Sequence, residues 1–535
     1  MRIMFQYFFQ RLRRTLWISA SLWVVPQVAD AAGVTLITHG LNGNVDGWVT
    51  GMADQIRSDR WFPGTNYTLY LMSFVPAGGG YALTVNRVAG REPLAPASGQ
   101  IIVKLDWRQL ADGNSYNTYQ VAAAVVPALL NTNFISELGG HALAEYPLHL
   151  IGHSRGGSLV CELSRQLGTN GVWVDHVTTL DPHPLNDTGF PFDFVFSAVD
   201  APARTYVNVL FHDNYWQNSD FFAFGKAVPG GYVRKLTALG GGYGGAGGAH
   251  SDVHLWYHGT IQSNTPASDT EVSITSSERT TWWTGYESNG LNAGFLYSLV
   301  GGGDRTSNDR PVGVGQPAIR DGFNQWWDLG AGGFSNRTTL PANNGSWPSL
   351  ILFRRTQTNQ VLHGQSTPVQ FYYQWAKADT NLASVGIYLD ADLNPLNTNQ
   401  TLLQTLAVPT NGASYVSLVT TNLIIAATNV APGVFRLYAS ITGGGQTRYL
   451  YAPESVEVVA NTQPPVLDVT QLADARVVIG INGVVGQTLV LHTSTNLQTW
   501  QPLATNSLTA SSRWLYTNNL PADAWQQYFR ATLKP

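Results

Sequence analysis

Cysteine and charge are the two things this 535-residue chain nearly lacks. It has one cysteine, Cys161, so no disulfide can form within the chain and stability must come from packing. Charged residues make up 12%, about half the usual share for a globular protein. Methionine is scarce at 4 residues, and there is no lysine- or arginine-rich patch of the kind that holds a nucleic acid. Aromatic residues reach 11%, with 17 tryptophans, and glycine is abundant at 54. That combination predicts an ordered, weakly charged chain with many short strands and turns. The length allows two to four domains with ample core.

Residues 1–31 read as an export signal. Arg2, Arg11, Arg13 and Arg14 form a basic start, residues 15–28 an apolar stretch, and Ala29-Asp30-Ala31 a small-x-small cleavage site. The apolar stretch is too short to span a bilayer comfortably, so a secreted or cell-surface protein without a permanent membrane anchor is expected. The pair Arg13-Arg14 leaves the export route open. Removing this segment moves the formal charge from −4 to −7.

From 33 to about 260, short apolar runs alternate with stretches of helical spacing. Runs at 34–38, 101–105, 148–151, 174–180 and 205–211 read as strands, and stretches at 116–130 and 158–167 read as helices. Such alternation predicts a mostly parallel sheet with helices on both faces, and reactive groups at the carboxyl ends of its strands. The expected class is α/β over 32–345, with an irregular extension from about 265. A β-sandwich of immunoglobulin-like size follows at 346–459, then a linker at 460–465 containing Pro464-Pro465, and a small β-module at 466–535.

The candidate chemistry centres on Gly152-His153-Ser154-Arg155-Gly156, which follows an apolar run and opens a helix. A serine at a sharp strand-to-helix turn has an exposed hydroxyl, and flanking glycines let neighbouring backbone pass close to it. A nucleophilic serine needs a base, and the base needs a group that fixes its tautomer. Asp181 ends the next strand run and Asp213 the one after, so either carboxylate is a candidate. His250 and His254, one helical turn apart, are the candidate bases.

The pieces Ile37-Thr38-His39-Gly40-Leu41, Leu105-Asp106-Trp107, Gly152 to Gly156, Thr179-Leu180-Asp181-Pro182 and His250 with Trp256-Tyr257 occur in this order. Together they resemble the secreted α/β-hydrolase lipases and esterases, the pancreatic and lipoprotein lipase type, over about 33–262. The resemblance implies Ser154 as nucleophile, Asp181 as orienting acid and His250 as base, with the backbone amides of Leu41 and Arg155 holding the oxyanion. It implies an ester or lipid substrate and no cofactor. The disulfide-bounded lid of that family has no counterpart here, because Cys161 stands alone. The β-domains suggest contact with a cell surface or an insoluble polymer, so polyester, phospholipid or acylated-polysaccharide hydrolysis is an alternative, and a non-catalytic binding protein another. Asp390, Asp392 and Asn394 alternate oxygen donors that suit either a structural calcium or a solvated turn. Clustered Trp282, Trp283, Trp326 and Trp327 suit either a buried core or a substrate groove.

Overall fold

The structure is a computed structural model that describes residues 33–56, 67–90, 100–187, 195–220, 223–236, 239, 248–261, 277, 282, 294–295, 337–341, 347–357, 360–376, 382–391, 395–396, 398–412, 417–425, 430–460, 462–472, 476–508, 511–519 and 526–534. The export signal expected at 1–31 lies outside the described residues. No helix among the described residues is long and apolar enough to cross a membrane.

Strands hold 47% of the described residues and helices 18%. The amino-terminal sheet is built from β1 (Gly33–Thr38), β2 (Tyr67–Ala77), β3 (Gly80–Gly90), β4 (Gln100–Asp106), β5 (Leu148–His153), β6 (Val174–Leu180), β7 (Val209–Trp216) and β8 (Tyr232–Lys235). Their spatial order is β3-β2-β4-β1-β5-β6-β7-β8. Every neighbouring pair is parallel except β2 with β3, which form an antiparallel hairpin at the edge. The inner strands β1, β4, β5 and β6 are buried along their whole length, which explains why they read as continuous apolar runs rather than as alternating ones.

Four α-helices lie among the described residues: α1 (Trp48–Ile56), α2 (Thr118–Leu130), α3 (Arg155–Thr169) and α4 (Gly248–Ile261). Strand alternation sends successive side chains to different cores. Ile37 and Ile151 join residues of α1 and α4 in one cluster, while Leu36 and Leu150 join residues of α2 and α3 in another. Helix α2 starts where Asn117 accepts the Gln120 amide and the Gln120 side chain returns to the Asn117 amide, a reciprocal cap that satisfies two otherwise orphaned donors.

The rest of the described chain is antiparallel β apart from one short parallel pair. Strands β9 (Ser349–Arg355), β10 (Gln360–Leu362), β11 (Ser366–Gln374), β12 (Ala383–Asp390), β13 (Thr401–Val408), β14 (Ser417–Ile424), β15 (Gly433–Gly443) and β16 (Gln446–Val459) form a five-stranded sheet, β10-β16-β15-β12-β13, and a three-stranded one, β14-β11-β9. The parallel exception is β10 with β16. Phe353, Phe371, Trp375, Ile387, Leu437 and Val456 fill the sandwich between the sheets. Strands β17 (Val466–Gln471), β18 (Arg476–Asn482), β19 (Thr488–Ser494), β20 (Gln501–Ser507), β21 (Arg513–Asn519) and β22 (Tyr528–Leu533) form two further three-stranded sheets around Ile479, Ile481, Leu489 and Leu491.

The expected class, an α/β-hydrolase followed by two all-β domains, is therefore corrected to a predominantly β fold. The strand-helix alternation of 33–260 occupies a minority of the chain, and within that span the β2–β3 hairpin departs from it. Four of the five sheets are wholly or mainly antiparallel, and among the described residues no helix lies between their strands.

The sandwich is joined to the first sheet by buried polar contacts. Arg448 of β16 is 1% exposed; its guanidinium pairs with Asp175 of β6 at 3.0 Å and donates to the carbonyls of Trp173 and Tyr146. Trp173 Nε1 donates to Gln374 Oε1 at 2.6 Å, and Ser349 Oγ donates to the Gly171 carbonyl at 3.1 Å. Ile351 and Leu352 of β9 belong to the same core cluster as Ile37 and Ile151.

Candidate functional site

Ser154 sits between the end of β5 and the start of α3 with φ 57° and ψ −127°. A positive φ costs a residue with a Cβ on the order of 1–3 kcal/mol, so the surrounding structure must hold it there. It does so through three main-chain bonds: the Ser154 amide donates to Leu180 at 2.9 Å, and its carbonyl accepts from Gly157 at 2.9 Å and His183 at 3.0 Å. The glycines are steric requirements. A Cβ on Gly152 would drive into the Gly156 carbonyl, and one on Gly156 into the His39 carbonyl. Because these obstacles are backbone, Gly152→Ala should destabilise the fold by about 1–3 kcal/mol in urea unfolding; an unchanged midpoint would show that the turn relaxes freely.

The loop after β1 lies against the serine. A Cβ on Gly40 would stand 3.0 Å from Ser154 Oγ, which places the Gly40-Leu41 backbone beside the hydroxyl. His39 braces this loop from beneath: its Nδ1 lies 3.0 Å from the Gly40 carbonyl, its Nε2 lies 3.3 Å from Asp106 Oδ1 and 3.2 Å from the Trp107 amide nitrogen, and its ring stacks on Trp107. Asp106 is buried, which alone would raise its pKa, but hydrogen bonds from His39 and Arg108 outweigh burial and bring it down to about 2. Arg155 opens α3 beside the serine. Its guanidinium is wholly buried, forked onto both carboxylate oxygens of Asp200 and bonded to the Tyr116 carbonyl, so its side chain is structural.

Asp181 follows β6 directly, with φ 44° and no exposed surface. Its carboxylate accepts four hydrogen bonds. The amides of Gln217 and Gly225 donate to Oδ1 at 2.8 and 2.9 Å, Gln217 Nε2 donates to Oδ2 at 2.7 Å, and His250 Nδ1 lies 2.6 Å from Oδ2. His250 lies in the first turn of α4, its side chain 13% exposed. Its carbonyl accepts His153 Nε2 at 2.9 Å, and the two rings are 4.5 Å apart, so the residue before Ser154 packs directly on the imidazole. With Nδ1 committed to Asp181, Nε2 is the nitrogen left to act as a base. The structure thus brings His250 and Asp181 together, with His153, the residue before Ser154, in contact with His250.

The alternates are occupied elsewhere. Asp213 is fully buried and bonded to His176 Nε2 at 2.9 Å, Thr178 Oγ1 at 2.5 Å and Tyr215 Oη at 2.9 Å, and burial pushes its pKa up to about 6. His254 is buried, stacked on Trp48 at 4.4 Å and edge-on to His153 at 4.7 Å. Burial, with the neighbouring His153 next, drives its pKa well below the ordinary histidine value. Cys161 is a buried packing residue whose thiol burial pushes up to about 12. Gln217 and Gly225, which complete the Asp181 cradle, carried no signal in the sequence, being ordinary residues in a connecting segment.

Buried neutral histidines surround the site. Burial lowers His183 to about 4, with His250 as the next cause, and lowers His212 to about 3. A depressed folded pKa gives stability that is present above about pH 6.5, the unfolded value, and is lost as pH falls. The melting temperature should therefore drop progressively between pH 6.5 and 4; a flat profile in differential scanning calorimetry would contradict the neutral assignment.

Asp390 is buried and accepts the Tyr451 hydroxyl at 2.5 Å, whereas Asp392 and Asn394 lie outside the described residues. Among the described residues no group of three His, Cys, Asp or Glu side chains is arranged to hold a metal. Trp282 is buried in the core that holds Ile37, and Trp283, Trp326 and Trp327 lie outside the described residues.

No protein-family model matches the chain, and no curated protein matches it. Among solved structures it is similar to the CARDB domain of a Pyrococcus furiosus protein, at 12% identity over 22% of this chain and 97% of that one, with a TM-score of 0.14. A superoxide reductase (neelaredoxin) from Ignicoccus hospitalis is 14% identical over 21% of this chain and 80% of its own, with a TM-score of 0.14. A β-glucosidase from Listeria innocua is 16% identical over 23% of this chain and 18% of its own, with a TM-score of 0.16. The resemblance to the pancreatic and lipoprotein lipase type is accordingly corrected: among the described residues strand outweighs helix, 47% against 18%, and most of the sheets are antiparallel.

Proposed function

We propose that the chain is a serine hydrolase of carboxylic esters, with Ser154 as nucleophile, His250 as general base and Asp181 as the group that orients it. The observation that carries this reading is the 2.6 Å contact between His250 Nδ1 and the buried Asp181 carboxylate, with His153, the neighbour of a serine held at positive φ, packed on the imidazole. In the reaction, Ser154 Oγ attacks the ester carbonyl carbon as its proton passes to His250 Nε2. The tetrahedral oxyanion is met by the amides of Leu41 and Arg155, and the alcohol leaves with the proton from His250. Water, activated by the same imidazole, then hydrolyses the acyl-enzyme and regenerates the serine. No cofactor takes part. The substrate is an ester or lipid met outside the cytoplasm, in keeping with the leader-like residues 1–31.

A fluorophosphonate probe followed by peptide mapping tests the assignment directly. Label on Ser154 supports it, and an unlabelled Ser154 in folded protein overturns it. Asp181→Asn should keep substrate affinity while lowering kcat by about 10⁴-fold, because the amide favours the wrong imidazole tautomer. A loss below tenfold would remove Asp181 from the mechanism.

A further inference from the structure

A cleft of about 410 Å³ opens behind the Asp181 turn. Its charged lining consists of Arg204, Lys226 and Asp187, two cations against one acid, in a chain whose overall formal charge is negative. Three of its wall residues are proline: Pro182, Pro202 and Pro229. Proline fixes φ and offers no N–H, so this part of the wall is set before a ligand arrives and little entropy is lost on binding. The volume falls within the range of small-molecule sites.

The cleft shares its wall with the candidate catalytic pair. Pro182 follows Asp181 directly. Lys226 follows Gly225, whose amide donates to Asp181 Oδ1 at 2.9 Å and whose α-carbon lies so close to Asp181 that a side chain there would collide with it. One residue earlier, the Phe224 carbonyl lies 3.0 Å from His183 Nδ1, and the His183 amide holds the Ser154 carbonyl. On the other side of Lys226, the Val228 amide donates to Asn214 Oδ1 at 3.1 Å. The short loop 223–229 thus supplies part of the Asp181 cradle with one end and part of the cleft with the other.

We propose that this cleft binds a small oxyanion, a phosphate or phosphate-bearing organic molecule, between Arg204 and Lys226, and that occupancy is transmitted through loop 223–229 to the Asp181–His250 contact. The two cations supply charge-assisted hydrogen bonds, and Asp187 opposes the ligand and sets the selectivity for its charge. The binding half stands on the cleft alone and does not require the ester chemistry.

Isothermal titration of full-length Ser154→Ala protein with inorganic phosphate and with phenyl phosphate tests it, since the serine variant removes turnover. Saturable binding of either probe is expected, weakened about tenfold or more in Arg204→Gln/Lys226→Gln and tightened several-fold in Asp187→Asn, and weakened by added salt. Tighter phenyl phosphate identifies an organic phosphate as the ligand class, and equal affinities identify the free anion. No saturable binding, or equal binding by the double variant, overturns the site. The coupling is read from the His250 imidazole NMR resonance: a shift on phosphate addition that the double variant lacks is expected, and an unmoved resonance at saturation overturns the link to Asp181.

Discussion

Replacing Ser154 with alanine should lower kcat for p-nitrophenyl esters by on the order of 10⁴ to 10⁶-fold while leaving the unfolding midpoint nearly unchanged. The hydroxyl is the group that would form the acyl bond. Alanine preserves the Cβ, so the strain at φ 57° remains and stability is unaffected. Glycine at the same position separates the two roles. Ser154→Gly should be equally inactive but more stable by about 1 kcal/mol, because glycine occupies that backbone region without penalty. Residual activity above a few per cent in either variant, with the wild-type pH profile, would place the nucleophile elsewhere.

The second large effect concerns stability. Arg448→Met should cost about 3–5 kcal/mol, because it strands the Asp175 carboxylate in a site that is 3% exposed and withdraws a donor from two main-chain carbonyls. Removing both charges in Arg448→Met/Asp175→Asn should recover part of the loss, since the penalty lies in the unpaired charge more than in the absence of the pair. Chemical denaturation followed by tryptophan fluorescence measures both. A single-variant loss under 1 kcal/mol would mean that solvent reaches Asp175 or that its proton is retained. For the same reason, truncation after about residue 345 should not yield a well-behaved amino-terminal fragment: it would expose the Ile37 core where Ile351 and Leu352 now cover it.

Much of the local structure was legible. The apolar runs at 34–38, 101–105, 148–151 and 174–180 became β1, β4, β5 and β6 because strands buried on both faces need side chains that leave no polar group unpaired. The helical stretch ending at 130 became α2. Other parts misled. The run at 205–211 shifts to β7 at Val209–Trp216, because His212, Asp213 and Asn214 look polar but are hydrogen-bonded to His176 and Thr179 of the adjacent strand. The β2–β3 hairpin carries a weak signal because Thr68 and Ser73 interrupt the apolar run of β2 and its Gly78-Gly79-Gly80 tip resembles any loop. Fold class differs from the expectation of an α/β domain followed by two all-β domains because strands, most of them in antiparallel sheets, dominate the described residues. Around the site, Asp181 and His250 stand out by residue type and order, whereas Gln217 and Gly225 reach Asp181 through a loop geometry that periodicity does not encode.

The Arg448–Asp175 pairing also has a temporal side. The two residues are 273 positions apart, so on a ribosome adding about 5–20 residues per second the acid of β6 emerges tens of seconds before its counter-ion exists. During that interval the nascent amino-terminal sheet carries an uncompensated carboxylate and an uncovered apolar surface at the place where the sandwich will dock. Completion of this protein is thus gated by translation of its second half, and a helper that shields the edge near Trp173 until then would act on a defined, short-lived target.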